Sequence, residues 1–111
     1  VQRLKSKKEI DSLFESGFIK KSGGLLLRYY VDDRHKGCCI GVAVSKSKFR
    51  RAVDRNRIKR QLRAALSKLN EDALFLGNGM LIYTGESLPQ FEKLVEDCGA
   101  VFKKVRYKEG E

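Results

Sequence analysis

The stretch 41-GVAVSKSKFRRAVDRNRIKRQLRAAL-66 changes its periodicity part-way along, and that change decides the architecture. Together with the preceding Cys38, Cys39 and Ile40, its first residues alternate by two. Ile40, Val42 and Val44 fall on one face and the small Gly41, Ala43 and Ser45 on the other, as in a strand. From about Arg51 the period lengthens. Ile58, Leu62, Ala65, Leu66 and Leu69 recur at i, i+4, i+7, i+8 and i+11, the single apolar stripe of an amphipathic helix running to Leu69. At about 100° per residue, Asn56, Arg57, Arg60 and Arg63 lie opposite that stripe. Arg55 and Lys59 flank it near its start.

The same stretch carries most of the charge. The chain of 111 residues has 24 Lys and Arg against 14 Asp and Glu, a net charge of +10. Lys46, Lys48, Arg50, Arg51, Arg55, Arg57, Lys59, Arg60 and Arg63 face one anion, Asp54, so this segment alone nets +8. A solvated helix face mixes signs at i, i+4, whereas like charges at that spacing destabilise by about a few tenths of a kcal/mol per pair. A one-signed face points to a polyanionic partner. Nucleic acid comes first and an anionic membrane surface second.

Outward from this unit the chain reads as one domain spanning residues 1–111, with fraying ends. Upstream, Ser6 and Glu9 form a capping-box pattern ahead of Ile10, Leu13 and Phe14, a helix over about Lys7 to Ser16 that Gly17 stops. "FIKK" at 18–21 is a short strand. "LLLRYYV" at 25–31 is a longer one, expected to pair antiparallel with the 38–44 strand through the polar turn "DDRHKG". Downstream, "NEDALFLGNG" reads as a loop and Met80 to Thr84 as a strand. Ser87 and Gln90 suggest a second capping box, opening a helix whose stripe runs Leu88, Phe91, Leu94, Val95, Cys98, Val101, Phe102 and Val105. The expected fold is α+β, a two-layer sandwich of order α-β-β-β-α-β-α. The second and third helices cover one sheet face, and Gly41, Ala43 and Ser45 line the other.

A catalytic apparatus on the protein is not expected. The one histidine, His35, sits in a polar turn, and Asp32 and Asp33 read as turn residues rather than Mg²⁺ ligands. No zinc, P-loop or dinucleotide pattern occurs. The three cysteines, Cys38, Cys39 and Cys98, fit neither a disulfide framework nor a zinc site and read as reduced thiols of a cytoplasmic protein. No run approaches the ~18 apolar residues of a membrane span and no signal segment is expected. Val1 in place of Met reads as a trimmed start.

A second candidate surface faces the small residues of the 38–44 strand. Leu26, Arg28 and Tyr30 alternate along the neighbouring strand, and Phe14 projects from the first helix. Aromatic and cationic groups beside a shallow groove suit single-stranded nucleic acid. Phe14 and Tyr30 are equally readable as core. Asn56, between two arginines, is readable either as a helix-start residue bonding backbone or as a group aimed at the same ligand as its neighbours.

Taken together, "AVSK" followed eight residues later by "RNRIKR", in a chain of this length and element order, resembles the bacterial ribonuclease P protein subunit. The likeness runs from "RLKSKKEIDSLFESG" to the last helix. It implies a protein cofactor that helps a catalytic RNA remove the 5′ leader from precursor tRNA. On this resemblance Arg51, Arg55, Asn56, Arg57, Lys59, Arg60 and Arg63 face the RNA subunit. Phe14, Leu26, Arg28, Tyr30, Ala43, Ser45 and Lys46 line the leader cleft. Catalytic groups and Mg²⁺ belong mainly to the RNA, so no catalytic or metal-ligating residue is expected on the protein. The partners are ribonuclease P RNA and precursor tRNA, with no membrane and no obligate protein partner. The resemblance also implies a left-handed βαβ crossover through the basic helix, against the usual hand. Arg28 and Ile10 stand where the family often carries cleft aromatics, and Ser47 replaces the second lysine of a usual pair. The alternative is a ribosomal or other structural RNA-binding protein that uses the same arginines without a leader cleft.

Overall fold

The computed structural model describes residues 2–32 and 37–109, with side chains through Val105. Asp33 and His35 lie outside the described residues. In chain order the elements are β1 (Gln2–Arg3), α1 (Lys7–Ser16), β2 (Phe18–Ser22), β3 (Leu25–Val31), β4 (Cys38–Val44), α2 (Ala52–Ser67), a 3₁₀ turn (Glu71–Ala73), β5 (Gly77–Tyr83) and α3 (Phe91–Glu109). The fold is the expected α+β arrangement, with the two-residue β1 added at the sheet edge.

The five strands are ordered β1-β4-β5-β3-β2. β4 and β5 run parallel and are joined through α2, while β5 and β3 run antiparallel. The expected hairpin partnership of 25–31 with 38–44 does not form, because β5 is inserted between them. Alternation reveals which way each strand faces but not which strand lies beside it.

One sheet face carries the main core. Leu25, Leu27 and Tyr29 of β3, Ile40 and Val42 of β4 and Leu81 of β5 pack beneath Ile58, Leu62 and Leu66 of α2 and Leu94, Val101 and Phe102 of α3. This is the stripe read from the sequence, and it fixes α2 with its arginines outward. On the opposite face α1 lays Leu13 against Met80 and Leu4, with Ile10, Tyr30, Cys39, Ala43 and Ile82 around them.

Local chemistry sets the ends of the elements. Ser6 caps α1, its Oγ accepting from the Glu9 N–H at 3.4 Å. Gly17 ends the helix in extended rather than left-handed backbone. Its role there is space, since a Cβ would sit 2.7 Å from the Leu13 carbonyl oxygen. The second capping box is not formed. The Ser87 carbonyl instead accepts the Tyr83 hydroxyl at 2.7 Å, and the Leu94 N–H bonds to the Gln90 carbonyl, so α3 begins after Pro89 rather than around it.

Candidate nucleic-acid interface

Helix α2 begins at Ala52, with Arg51 as its cap residue in extended backbone. Burying Ile58, Leu62, Ala65 and Leu66 leaves Asn56, Arg57, Arg60 and Arg63 exposed along one side, with Lys59 half-buried at its margin. Among the described residues, the side chains of Arg57, Arg60 and Arg63 make no ion pair or hydrogen bond. They follow one another along one side of the helix with no ion-pair partner among the described residues. Such a surface can bind several phosphates, each fork making paired N–H···O contacts.

Arg55 is placed differently. Its Nη1 donates to the carbonyls of Phe49 and Arg50, both at 2.8 Å. Phe49 is buried and stacks near Tyr83, and its own N–H bonds to the Ser45 carbonyl. The Arg55 guanidinium therefore ties the connection between β4 and α2 to the first helical turn. It also satisfies two carbonyls that no helix or sheet ladder reaches. This contact holds the exposed Arg50 and Arg51 next to the α2 face. Lys48 does a similar service on the other side, its Nζ donating to the Thr84 carbonyl at 2.8 Å.

On the α1 face, the strand registers line up three rows of side chains: Tyr30–Asn78–Cys39, Arg28–Met80–Gly41 and Leu26–Ile82–Ala43. Residues directly opposite one another in paired strands share a face. The floor between Arg28 and the β4 residues is thus supplied by Asn78, Met80 and Ile82. Sequence reasoning missed these by making β3 and β4 neighbours, although alternation in "MLIY" separates Met80 and Ile82 from Leu81 and Tyr83.

The structure brings Phe14 and Arg28 together. The Arg28 guanidinium lies 5.3 Å from the centre of the Phe14 ring, and its Nη1 donates to the Phe14 carbonyl at 3.2 Å. Phe14 remains 43% exposed, so this cation–π pair presents an aromatic surface to solvent rather than closing a core. Ile19, opposite Arg28 on β2, extends the patch and is also exposed. Tyr30 and Leu26 are half-buried on the same face, and the Tyr30 hydroxyl accepts from Asn78 Nδ2 at 3.1 Å. Ala43 packs in the small cluster beneath α1. At the end of β4, the Ser45 and Ser47 hydroxyls lie 2.8 Å apart, and Lys46 is exposed beside them. Gly41 makes room for protein rather than ligand, because a Cβ there would meet the Met80 sulfur at 2.5 Å.

The thiols are ordinary packing groups. Burial pushes Cys98 up to about 12 and Cys38 up to about 11, and raises Cys39 as well, so all three are protonated near neutral pH. Among the described residues no group of three or more His, Cys, Asp and Glu side chains could hold a metal ion. Among the described residues no helix is long and apolar enough to cross a membrane.

The family model described as Ribonuclease P matches residues 1–106. The chain is 33% identical over 104 residues to a ribonuclease P protein component from Syntrophomonas wolfei, covering 93% of this chain and 86% of that one. It is 30% identical over 112 residues to another from Pseudanabaena, covering 97% and 94%. The fold superposes on the RNase P protein of Staphylococcus aureus with a TM-score of 0.78 at 18% identity, covering 95% of each chain. For the Thermotoga maritima RNase P protein the TM-score is 0.77 at 16% identity, covering 94% and 97%.

Proposed function

The chain belongs to the ribonuclease P protein family, and from that premise we propose that it docks on the catalytic RNA through the outer face of α2 and holds the 5′ leader of precursor tRNA against the α1 side of the sheet. The observation that carries the docking is the set of uncompensated guanidiniums on Arg57, Arg60 and Arg63, with Asn56, Lys59 and Arg51 around them. Each phosphate neutralised there releases condensed counterions, so the interface forms most strongly at low salt. It also lowers the repulsion between two large RNAs brought together in one complex. Arg55 contributes by holding the adjoining connection in place.

Leader binding draws on the other face. The exposed ring of Phe14 offers a stacking surface, Arg28 beside it a cation for the backbone, and Lys46 a second cation at the end of β4. Leu26, Tyr30, Ala43 and Ser45 border this track. Single-stranded RNA is bound by such alternation of stacking and charge, with about 1–3 kcal/mol per stacked base. Mg²⁺, on this reading, is held mainly by the RNA, as the family resemblance implies. The protein's part is to bind, orient and screen charge, and the endonucleolytic step that matures the tRNA 5′ end belongs to the RNA.

A structural RNA-binding protein would use the same arginines without a leader track. Equilibrium binding of the reconstituted complex to precursor tRNA with and without its leader separates the two. The leader reading requires tighter binding of the leader-bearing form, by about tenfold for a single stacked base, and loss of most of that difference in Phe14→Ala. Equal affinities with and without the leader would leave only the docking role.

A further inference from the structure

Beyond the end of the α2 face, the groove between β1 and α2 contains a second guanidinium that the sequence pattern did not single out. Its lining is Gln2, Arg3, Ile40, Arg63, Leu66 and Ser67, enclosing about 290 Å³. Register decides which way Arg3 points. Arg3 lies opposite Ile40 in the parallel β1–β4 pair, and Ile40 is buried beneath α2, so Arg3 is on the α2 side of the sheet. Gln2 faces the other way, where its Oε1 accepts from the Cys39 thiol at 3.5 Å. On α2, Asn56, Arg60, Arg63 and Ser67 follow one another at spacings of four, three and four, a single line along the exposed side. The groove lies where that line ends, and Arg3 stands across it from Arg63.

We propose that Arg3 and Arg63 clamp one phosphate of the RNA backbone between them, extending the docking surface from α2 across the sheet edge to β1. The inference rests on the docking role proposed above. Three observations argue for it. Both side chains are exposed, and neither makes an ion pair or hydrogen bond among the described residues. Among the described residues no carboxylate lines the groove, so the two cations share it without a counter-charge. It is backed by the buried, apolar Ile40 and Leu66, and a low-dielectric wall strengthens the attraction of a bound anion to both forks. A phosphate oxygen pair between two guanidiniums removes their repulsion and is bonded from both sides. Continuity with the arginine line favours a polymer phosphate over a free one.

The test is the affinity of the full chain for a ribonuclease P RNA across a salt series, using Arg3→Ala, Arg63→Ala, the double variant, Arg3→Lys and, as a control for net charge, Lys5→Ala. Arg3→Ala is expected to weaken binding by about three- to tenfold at low salt, an effect that shrinks as salt rises. Arg3→Lys should fall between it and wild type, and Lys5→Ala should stay within about twofold of wild type. Because one phosphate is shared, the double variant should lose clearly less than the product of the single losses, whereas independent contacts multiply. Melting curves of each free variant separate lost contact from lost fold, and Arg3→Gln, which keeps most of the aliphatic stem, replaces Arg3→Ala if β1 is destabilised. Wild type that binds while Arg3→Ala and Arg3→Gln bind equally well overturns the clamp alone, and so does strict multiplicativity. Inorganic phosphate that raises the melting temperature of wild type but not of Arg3→Ala, with RNA affinity unchanged, assigns a free-anion site and also overturns it. Wild type that does not bind the RNA overturns the docking role and the clamp together.

Discussion

Two arginines two residues apart have separate roles in this fold. Arg57 projects from α2 with no protein partner among the described residues, while Arg55 donates to two main-chain carbonyls of the β4–α2 connection. Hydrogen bonds from a charged group contribute about 1.5–3 kcal/mol when well shielded, and less where water competes, as it does at this half-buried site. Arg55→Ala should therefore lower unfolding stability by about 1–2 kcal/mol, while Arg57→Ala leaves it within about 0.5 kcal/mol. Denaturant titrations of the two variants read the contrast directly. In RNA binding the order reverses in kind: Arg57→Ala should reduce the salt slope by about one unit for its lost phosphate. The buried thiols carry a pH dependence. Their folded values, about 12 for Cys98 and about 11 for Cys38, lie above the ordinary 9.0. A raised thiol value means that the folded state holds its proton longer than the unfolded chain. This stability is fully present below pH 9 and is lost as pH climbs from there through the folded values. Native protein should resist alkylation at Cys98 at pH 8 and react on unfolding, a contrast that mass spectrometry of the labelled protein reads.

At the scale of elements, the turn between β2 and β3 shows how closely α3 constrains the sheet. Gly23 is left-handed, with φ +56°, and Gly24 donates its N–H to the Asp97 carboxylate of α3 at 3.3 Å. Asp97 also pairs with Lys93 at 3.5 Å, and the Lys104 ammonium reaches the Lys21 carbonyl. A Cβ on Gly23 would sit 2.3 Å from the Asp97 carboxylate oxygen. Gly23→Ala should thus cost about 2 kcal/mol or more through backbone strain and the displaced carboxylate, measured as a drop in the denaturation midpoint. The helices and most strands were legible because each buries one face: the stripe from Ile58 to Leu66 and the alternation from Ile40 to Val44 need only local sequence. Strand neighbours were not legible. The parallel β4–β5 pair is made only after α2 has crossed back, and nothing local in "CCIGVAV" specifies it. The start of β5 was hidden for another reason. Gly77 and Gly79 read as loop, yet Gly77 is there because a Cβ would lie 2.2 Å from the Tyr30 carbonyl oxygen, and Gly79 because Ile40 presses on it at 3.0 Å. The candidate site divides the same way. The outward arginines followed from the helical projection, whereas the Met80 and Ile82 floor and the Arg3–Arg63 groove depend on sheet order and register.

Across the whole molecule the two proposed RNA surfaces lie on opposite sides of one sheet. α2 covers the main core and turns its arginines outward, and α1 covers the second face and leaves Phe14 and Arg28 beside it. On the proposed function, this disposition would let one small domain touch two RNAs at once, the catalytic RNA on one side and the leader of its substrate on the other. Such a bridge acts chiefly by charge and position, so its effect is largest where Mg²⁺ is too scarce to screen RNA against RNA. The most direct measurement is cleavage of precursor tRNA by a ribonuclease P RNA at low Mg²⁺, with and without this protein. A marked gain in leader removal on adding the protein, and no cleavage by the protein without the RNA, is the expected result. No gain over the RNA alone, or cleavage by the protein alone, would contradict the central claim.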